Sequence, residues 1–292
     1  MYNNKNKAKQ VLEVPKYIIL WGKFLQFFSI DLAAKFAQNL FITPIKFKPP
    51  KREREMFIKS IKSKITIPSI RKDIVVYQYG NNKKADKKAL LIHGWNGRGT
   101  QLVSIANLLM RQGYDIVSFD APGHGKSPKS KTNLADFIET VFEVEKQFGN
   151  FDLIIGHSLG GMTTIHAVKN GLRAKKAIII GSGDIVEDVI EDFVKQIKLK
   201  PVIAEKIKNR FENQFNQSMD SYCVHLAAQK IDIPVLIIHD EEDIDVPVKA
   251  AYQIKKNIQN GELLITQGLG HRKILGDKKV IEKIKDFIQN SQ

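Results

Sequence analysis

Cysteine is almost missing from the 292 residues, with Cys223 standing alone. An internal disulfide framework is therefore excluded, and the chain suits a reducing compartment, with a cytoplasmic location as the expectation. No cluster of cysteine and histidine has metal-ligand spacing, so no structural zinc is expected. Long apolar runs are missing too. The richest stretch, residues 17–42, is interrupted by Gly22, Lys23 and Gln26. It never reaches the roughly 20 unbroken apolar residues that a transmembrane helix needs. It also lacks a small-x-small cleavage site of the kind that ends a secretory signal. Acidic residues are scarce at one end only: residues 1–72 hold 16 Lys and Arg against 4 Asp and Glu, and the remainder holds 30 against 27. The net charge of +15 is thus mainly an N-terminal property. No nucleic-acid recognition motif accompanies it, and no nucleic-acid partner is expected.

What the chain does have is a change of pattern near Arg71. Residues 1–15 are polar, rich in Asn and Lys, and expected to fray. Residues 17–42 read as two amphipathic helices whose polar faces lose phase near Ser29-Ile30-Asp31, with Ser29 placed to cap the second. Pro44 and Pro49-Pro50 end that unit, and Lys51 to Glu55 opens a short helix. Two readings of residues 17–58 stand side by side. One is a helical extension packed on the body, or on a second copy in a homodimer. The other is a peripheral membrane anchor, with aromatics entering lipid and lysines meeting anionic headgroups.

Downstream of Arg71, apolar strands alternate with helices. Strands are expected at 74–79, 89–93, 115–120, 151–156, 177–180, 233–239 and 262–265, with a turn at 80–84. Helices are expected at 100–111, 133–148, 162–168 and 247–257, and residues 184–230 are charged and helical with no strand-like run. Such alternation implies an α/β fold with a mostly parallel sheet covered on both faces. Loops at the carboxyl ends of the strands then carry the site. The expected organisation is a basic amphipathic helical extension over 1–70 and an α/β domain over 71–292.

At the centre, Gly156-His157-Ser158-Leu159-Gly160 spells G-x-S-x-G between an apolar strand and a helix. A serine on so sharp a turn is held in a strained backbone conformation that lifts its oxygen out of the sheet. The flanking glycines remove Cβ atoms that would collide with the adjoining strand and helix. The helix that follows points its free N–H groups and positive end at the place where an oxyanion would form.

Together with the loops below, this motif makes residues 70–290 resemble the α/β-hydrolase superfamily, in particular its small serine esterase and lipase type. The resemblance implies the α/β-hydrolase fold with a sheet of the eight-stranded type and a small helical cap inserted at about 184–232, and it makes Ser158 the nucleophile. The segment from His239 to Pro247 (His-Asp-Glu-Glu-Asp-Ile-Asp-Val-Pro) is similar to the family's H-G-x-x-D-x-x-V-P loop. Aligned on Val246-Pro247, it makes Asp243 the triad acid and Asp245 the second choice, while Asp240 stands where the family has glycine. Leu269-Gly270-His271 onward to Leu275 is similar to G-H-x-x-x-L and makes His271 the base. The oxyanion hole would use the backbone N–H of Leu159 and that of Trp95, in the turn after His93-Gly94. Trp95 would also wall the acyl pocket. His93, His124, His157 and His166 are assigned structural places.

The implied activity is hydrolysis of a small-molecule carboxylic ester, with a small to medium acyl group, through an acyl-enzyme and without cofactor or metal. Alternatives are a membrane-surface lipase or lysophospholipase, a thioesterase, and a non-enzymatic hydrolase fold kept for binding or scaffolding.

Overall fold

The computed structural model describes residues 14–80 and 87–290. Most of the expected N-terminal fraying and of the turn at 80–84 therefore lies outside the described residues. Helix α1 (Lys16–Phe28) stops where Ser29 adopts an extended φ of −157°. The Ser29 hydroxyl then accepts the Leu32 N–H at 3.3 Å and caps α2 (Ile30–Phe41). After an extended stretch comes α3 (Arg54–Lys59). The body follows as β1 (Ile61–Ile67), β2 (Lys72–Tyr79), β3 (Lys87–Ile92), α4 (Val103–Arg111), β4 (Tyr114–Asp120), α5 (Leu134–Phe148), β5 (Leu153–His157), α6 (Leu159–Lys169) and β6 (Lys176–Ile180). Helices α7 (Val186–Gln196), α8 (Val202–Phe215) and α9 (Val224–Ala228) intervene. The chain ends with β7 (Val235–Asp240), α10 (Lys249–Asn257), β8 (Gly261–Thr266), α11 (Gly270–Lys273) and α12 (Lys278–Gln289).

One eight-stranded sheet runs in the order β1-β2-β4-β3-β5-β6-β7-β8. β1 pairs antiparallel with β2, and β2 antiparallel with β4. Every later pairing is parallel. β1 corrects the expected boundary, because the sheet begins at Ile61 and not at residue 71. Its Ile65 and Ile67 point inward while Lys62, Lys64 and Thr66 stay exposed. This is the period-two signature of an edge strand with one face in water, and its lysines protect the edge from stray pairing.

Buried Phe137, Val141, Ile165 and Ile254 belong to the core on one face, under α5, α6 and α10. Ile105, Leu109, Ile284 and Phe287 fill the other, under α4 and α12. A third cluster lies above the site: the alanine stripe Ala33, Ala34 and Ala37 of α2 packs on Ile190 and Val194 of α7 and Ile203 and Ile207 of α8. α1 crosses the α7–α8 turn, where Gly22 lies against Leu199 and the Gln26 side chain accepts the Lys200 N–H at 2.6 Å. The cap is thus α7 and α8 roofed by α1 and α2, while α9 packs on α6 and α10 and belongs to the body. At the opposite edge, Lys176 at the start of β6 donates to the carbonyls of Phe287 and Asn290, fixing the end of α12.

Candidate active site

Ser158 has φ +56° and ψ −121°, a conformation that side-chain-bearing residues rarely adopt. The turn is held by glycines where backbone meets backbone. A Cβ on Gly156 would lie 2.0 Å from the Gly160 carbonyl oxygen, and one on Gly160 would lie 2.3 Å from that of Ile92 in β3. Leu159 opens α6, so its N–H has no acceptor one turn back.

Two further loops meet at this carboxyl edge of the sheet. His271, buried at the start of α11, donates from Nδ1 to the Asp243 carboxylate at 2.7 Å. The other oxygen of Asp243 accepts the N–H groups of Asp245 and Val246, each at 2.9 Å. Among the described residues no hydrogen bond joins His271 to Asp245, whose carboxyl burial pushes to a higher pKa. His157 donates from Nε2 to the His271 carbonyl at 2.9 Å, and the two rings lie 4.6 Å apart. Burial, and then the adjacent His271, hold His157 neutral, with its pKa well below the usual histidine value. His239 donates to the Val246 carbonyl at 2.9 Å, bracing the acid loop from below.

Asp240 plays a part that its place in the motif did not disclose. Fully buried, its carboxylate accepts the N–H groups of Gly270 at 2.8 Å, Glu242 at 3.0 Å and Leu269 at 3.1 Å, and the Thr266 hydroxyl at 2.7 Å. Burial alone would raise its pKa, but these donors outweigh it and draw the pKa below the ordinary aspartate value. One side chain therefore ties the Asp243 loop to the His271 loop. A charged residue in place of a turn glycine was the only available signal.

The turn after β3 carries Trp95, whose N–H has no hydrogen-bond partner among the described residues. His93 secures the turn, donating from Nδ1 to the Gly94 carbonyl at 2.7 Å and accepting the Ala121 N–H at Nε2, 3.0 Å away. Burial lowers its pKa to about 4, which keeps the accepting nitrogen bare. The Trp95 indole stands edge-on to His124, 5.2 Å away. The same turn is clasped by the N-terminal segment: Asn96 accepts the Ile45 N–H at 2.7 Å. Buried Glu53 takes Arg98 through both oxygens at 3.0 Å and the Thr100 hydroxyl at 2.6 Å. Residues 42–53, which the sequence pattern sets apart from the body, are part of the site's frame.

Ser158, Leu159, Trp95, Asp245 and His271 face one cavity of about 780 Å3. Leu40 and Phe41 of α2, Phe193 and Phe211 of the cap, and Met162 of α6 supply apolar wall. Among the described residues no hydrogen bond yet joins the Ser158 hydroxyl to His271, a looseness common before substrate binds. Asp243, Asp245 and His271 each offer a ligand atom within 4.8 Å of the others, as a metal site would need. The Asp243 oxygens are already taken by His271 and two backbone donors, which leaves a poor donor set for a cation.

Comparison with known proteins agrees with the fold. A family model described as alpha/beta hydrolase fold matches residues 90–219, and one described as TAP-like protein matches residues 215–292. An uncharacterized hydrolase of Bacillus subtilis is 23% identical over 265 residues, covering 74% of this chain and 94% of that protein. A serine hydrolase-like protein of Dictyostelium discoideum is 30% identical over 151 residues, 49% of this chain and 41% of that one. The aligned part thus spans less than half of the Dictyostelium protein. An esterase of Pyrococcus furiosus superposes with a TM-score of 0.65 at 16% identity, over 85% of this chain and 98% of its own. The two matched segments together run over residues 90–292, and the chain has the α/β-hydrolase fold.

Proposed function

We propose that the protein is a serine esterase acting on carboxylic esters with small to medium acyl groups. The observation that carries the reading is the 2.7 Å bond from His271 Nδ1 to Asp243, made beside a strained serine that opens on the same cavity as His271. With Nδ1–H committed to the carboxylate, His271 keeps Nε2 as the basic nitrogen. Nε2 takes the Ser158 proton as the hydroxyl oxygen attacks the ester carbonyl, and Asp243 stabilises the imidazolium that results. The amides of Leu159 and Trp95 receive the oxyanion. Collapse of the tetrahedral intermediate sends the proton from His271 to the leaving alcohol. Water then repeats the sequence on the acyl-enzyme, with His271 again as base.

The acyl group would lie along the apolar wall of Phe41, Met162, Phe193 and Phe211. A cavity of about 780 Å3 is within the range that encloses ligands of several hundred daltons. The test is a panel of p-nitrophenyl esters of increasing chain length, paired with labelling by a fluorophosphonate probe. Ser158→Ala should lose labelling and lower kcat by about 10^4-fold or more. A Ser158→Ala protein that keeps both would refute the proposal.

A further inference from the structure

We infer that the outer face of α1 docks on an anionic phospholipid surface and sets the cavity wall against it. Tyr17, Leu20, Trp21, Phe24, Phe27 and Phe28 are between 51% and 85% exposed. Their spacing puts them on one helical face. The rings touch each other in a row, with centroids 5.3 Å apart for Trp21 and Phe24, 4.9 Å for Phe24 and Phe28, and 5.2 Å for Phe27 and Phe28. Leu32, at the start of α2, is exposed as well. Scattered apolar side chains on a surface need no explanation, but a contiguous aromatic stripe marks something that binds there.

The opposite face of α1 is already used. Gly22 meets Leu199 and Phe36, and Gln26 holds the Lys200 amide, so the helix is pinned to the cap with its aromatic side outward. The stripe is therefore not a core face left uncovered.

Charge selects the occupant. Exposed Lys16 and Lys23 border the stripe, within a segment that carries 16 basic against 4 acidic residues. A second copy of a chain with net charge +15 would meet like charge along that rim. Anionic headgroups would meet opposite charge while the rings enter the acyl boundary. A helix of 13 residues is too short to cross a bilayer, and no helix among the described residues is long and apolar enough to do so. Lying in the interface plane is what remains.

Docking would also matter to the site. Val14, just before α1, and Leu40 and Phe41, at the end of α2, line the cavity that holds Ser158. If the serine esterase reading holds, on which this extension alone rests, the substrate is an acyl ester drawn from the membrane.

The experiment is co-sedimentation of the full chain with vesicles of phosphatidylcholine, with and without about 30% phosphatidylglycerol. The wild type should pellet with the anionic vesicles and be released by salt. The triple variant Trp21→Ser, Phe24→Ser, Phe28→Ser should partition at least about ten-fold less. Unchanged circular dichroism and unchanged turnover of a water-soluble ester would show the variant folded. Its turnover of an ester embedded in the vesicles should fall with binding. Three results would each overturn the docking: wild type left in the supernatant, a triple variant that binds as well as wild type, or sedimentation equilibrium showing a dimer that the variant abolishes in a protein indifferent to vesicles. Vesicle binding by a protein inactive on every soluble ester would leave the docking standing and refute the esterase reading instead.

Discussion

Replacing Asp240 with asparagine removes one carboxylate oxygen and a charge while keeping the size and shape of the side chain. In the wild type one oxygen accepts Gly270 and Glu242, and the other accepts Leu269 and the Thr266 hydroxyl. An amide placed with its oxygen toward Gly270 turns its NH2 group toward the Leu269 N–H, donor against donor. The Thr266 hydroxyl can rotate and accept instead, and the Glu242 N–H keeps the amide oxygen that also serves Gly270. The net loss is about one charge-assisted hydrogen bond plus a half-buried amide without a partner, roughly 2–3 kcal/mol. For a chain of this size that is a fall in Tm of roughly 5 °C. Because Leu269 and Gly270 lead directly into His271, kcat/KM should fall about ten- to a hundred-fold from imperfect placement of the base. The sign of the pH effect follows from the lowered pKa. A carboxyl whose pKa is lower in the folded than in the unfolded state stabilises the fold above its unfolded pKa. That stability fades as pH drops through the folded value. The gap in Tm between wild type and Asp240→Asn should therefore be widest near neutrality and close on acidification. Thermal melts across pH, paired with ester turnover, measure both parts. A variant with wild-type Tm at neutral pH and wild-type kcat/KM would refute the bracing role.

Glu53→Ala should cost roughly 3 kcal/mol in a urea unfolding series, because it leaves the nearly buried Arg98 side chain without its anion. The two candidate acids separate by substitution. Asp243→Asn should lower kcat about 10^4-fold, since it disturbs the Nδ1–H that orients His271, whereas Asp245→Asn should stay within about ten-fold of wild type. Burial raises the pKa of Asp245, so its charged form disfavours folding. Asp245→Asn should accordingly raise Tm at neutral pH, with the gain vanishing as acid protonates the wild-type carboxyl.

Much of the body could be read from pattern alone. Buried parallel strands such as those carrying Ala177 to Ile180 and Val235 to Ile238 are short apolar runs, and helices such as α5, which stops at Gly149, alternate with such strands. β1 escaped because Lys62 and Lys64 made an alternating strand look like the continuation of a basic segment. Motif spacing nominated Ser158, Asp243 and His271, but which aspartate His271 meets depends on a hydrogen bond across 28 residues of chain. Asp240, Glu53 and Asn96 were beyond reach for a related reason. Each works by pairing with a distant loop, and a carboxylate that will hold four donors looks no different in sequence from one in solvent. The direction in which α1 presents its aromatics was equally hidden, since apolar residues occupy nearly all of its circumference.

The bond from Lys176 to the last turn of α12 has a practical consequence. It fastens the end of the described chain to the start of β6, at the amino edge of the sheet, whereas the elbow follows the carboxyl end of the neighbouring β5. A tether attached beyond Asn290 leaves from the side away from Ser158. One attached ahead of Val14 leaves from the cavity's own lining. For immobilisation on a resin or fusion to a carrier, the tail is the handle that keeps the substrate's approach clear.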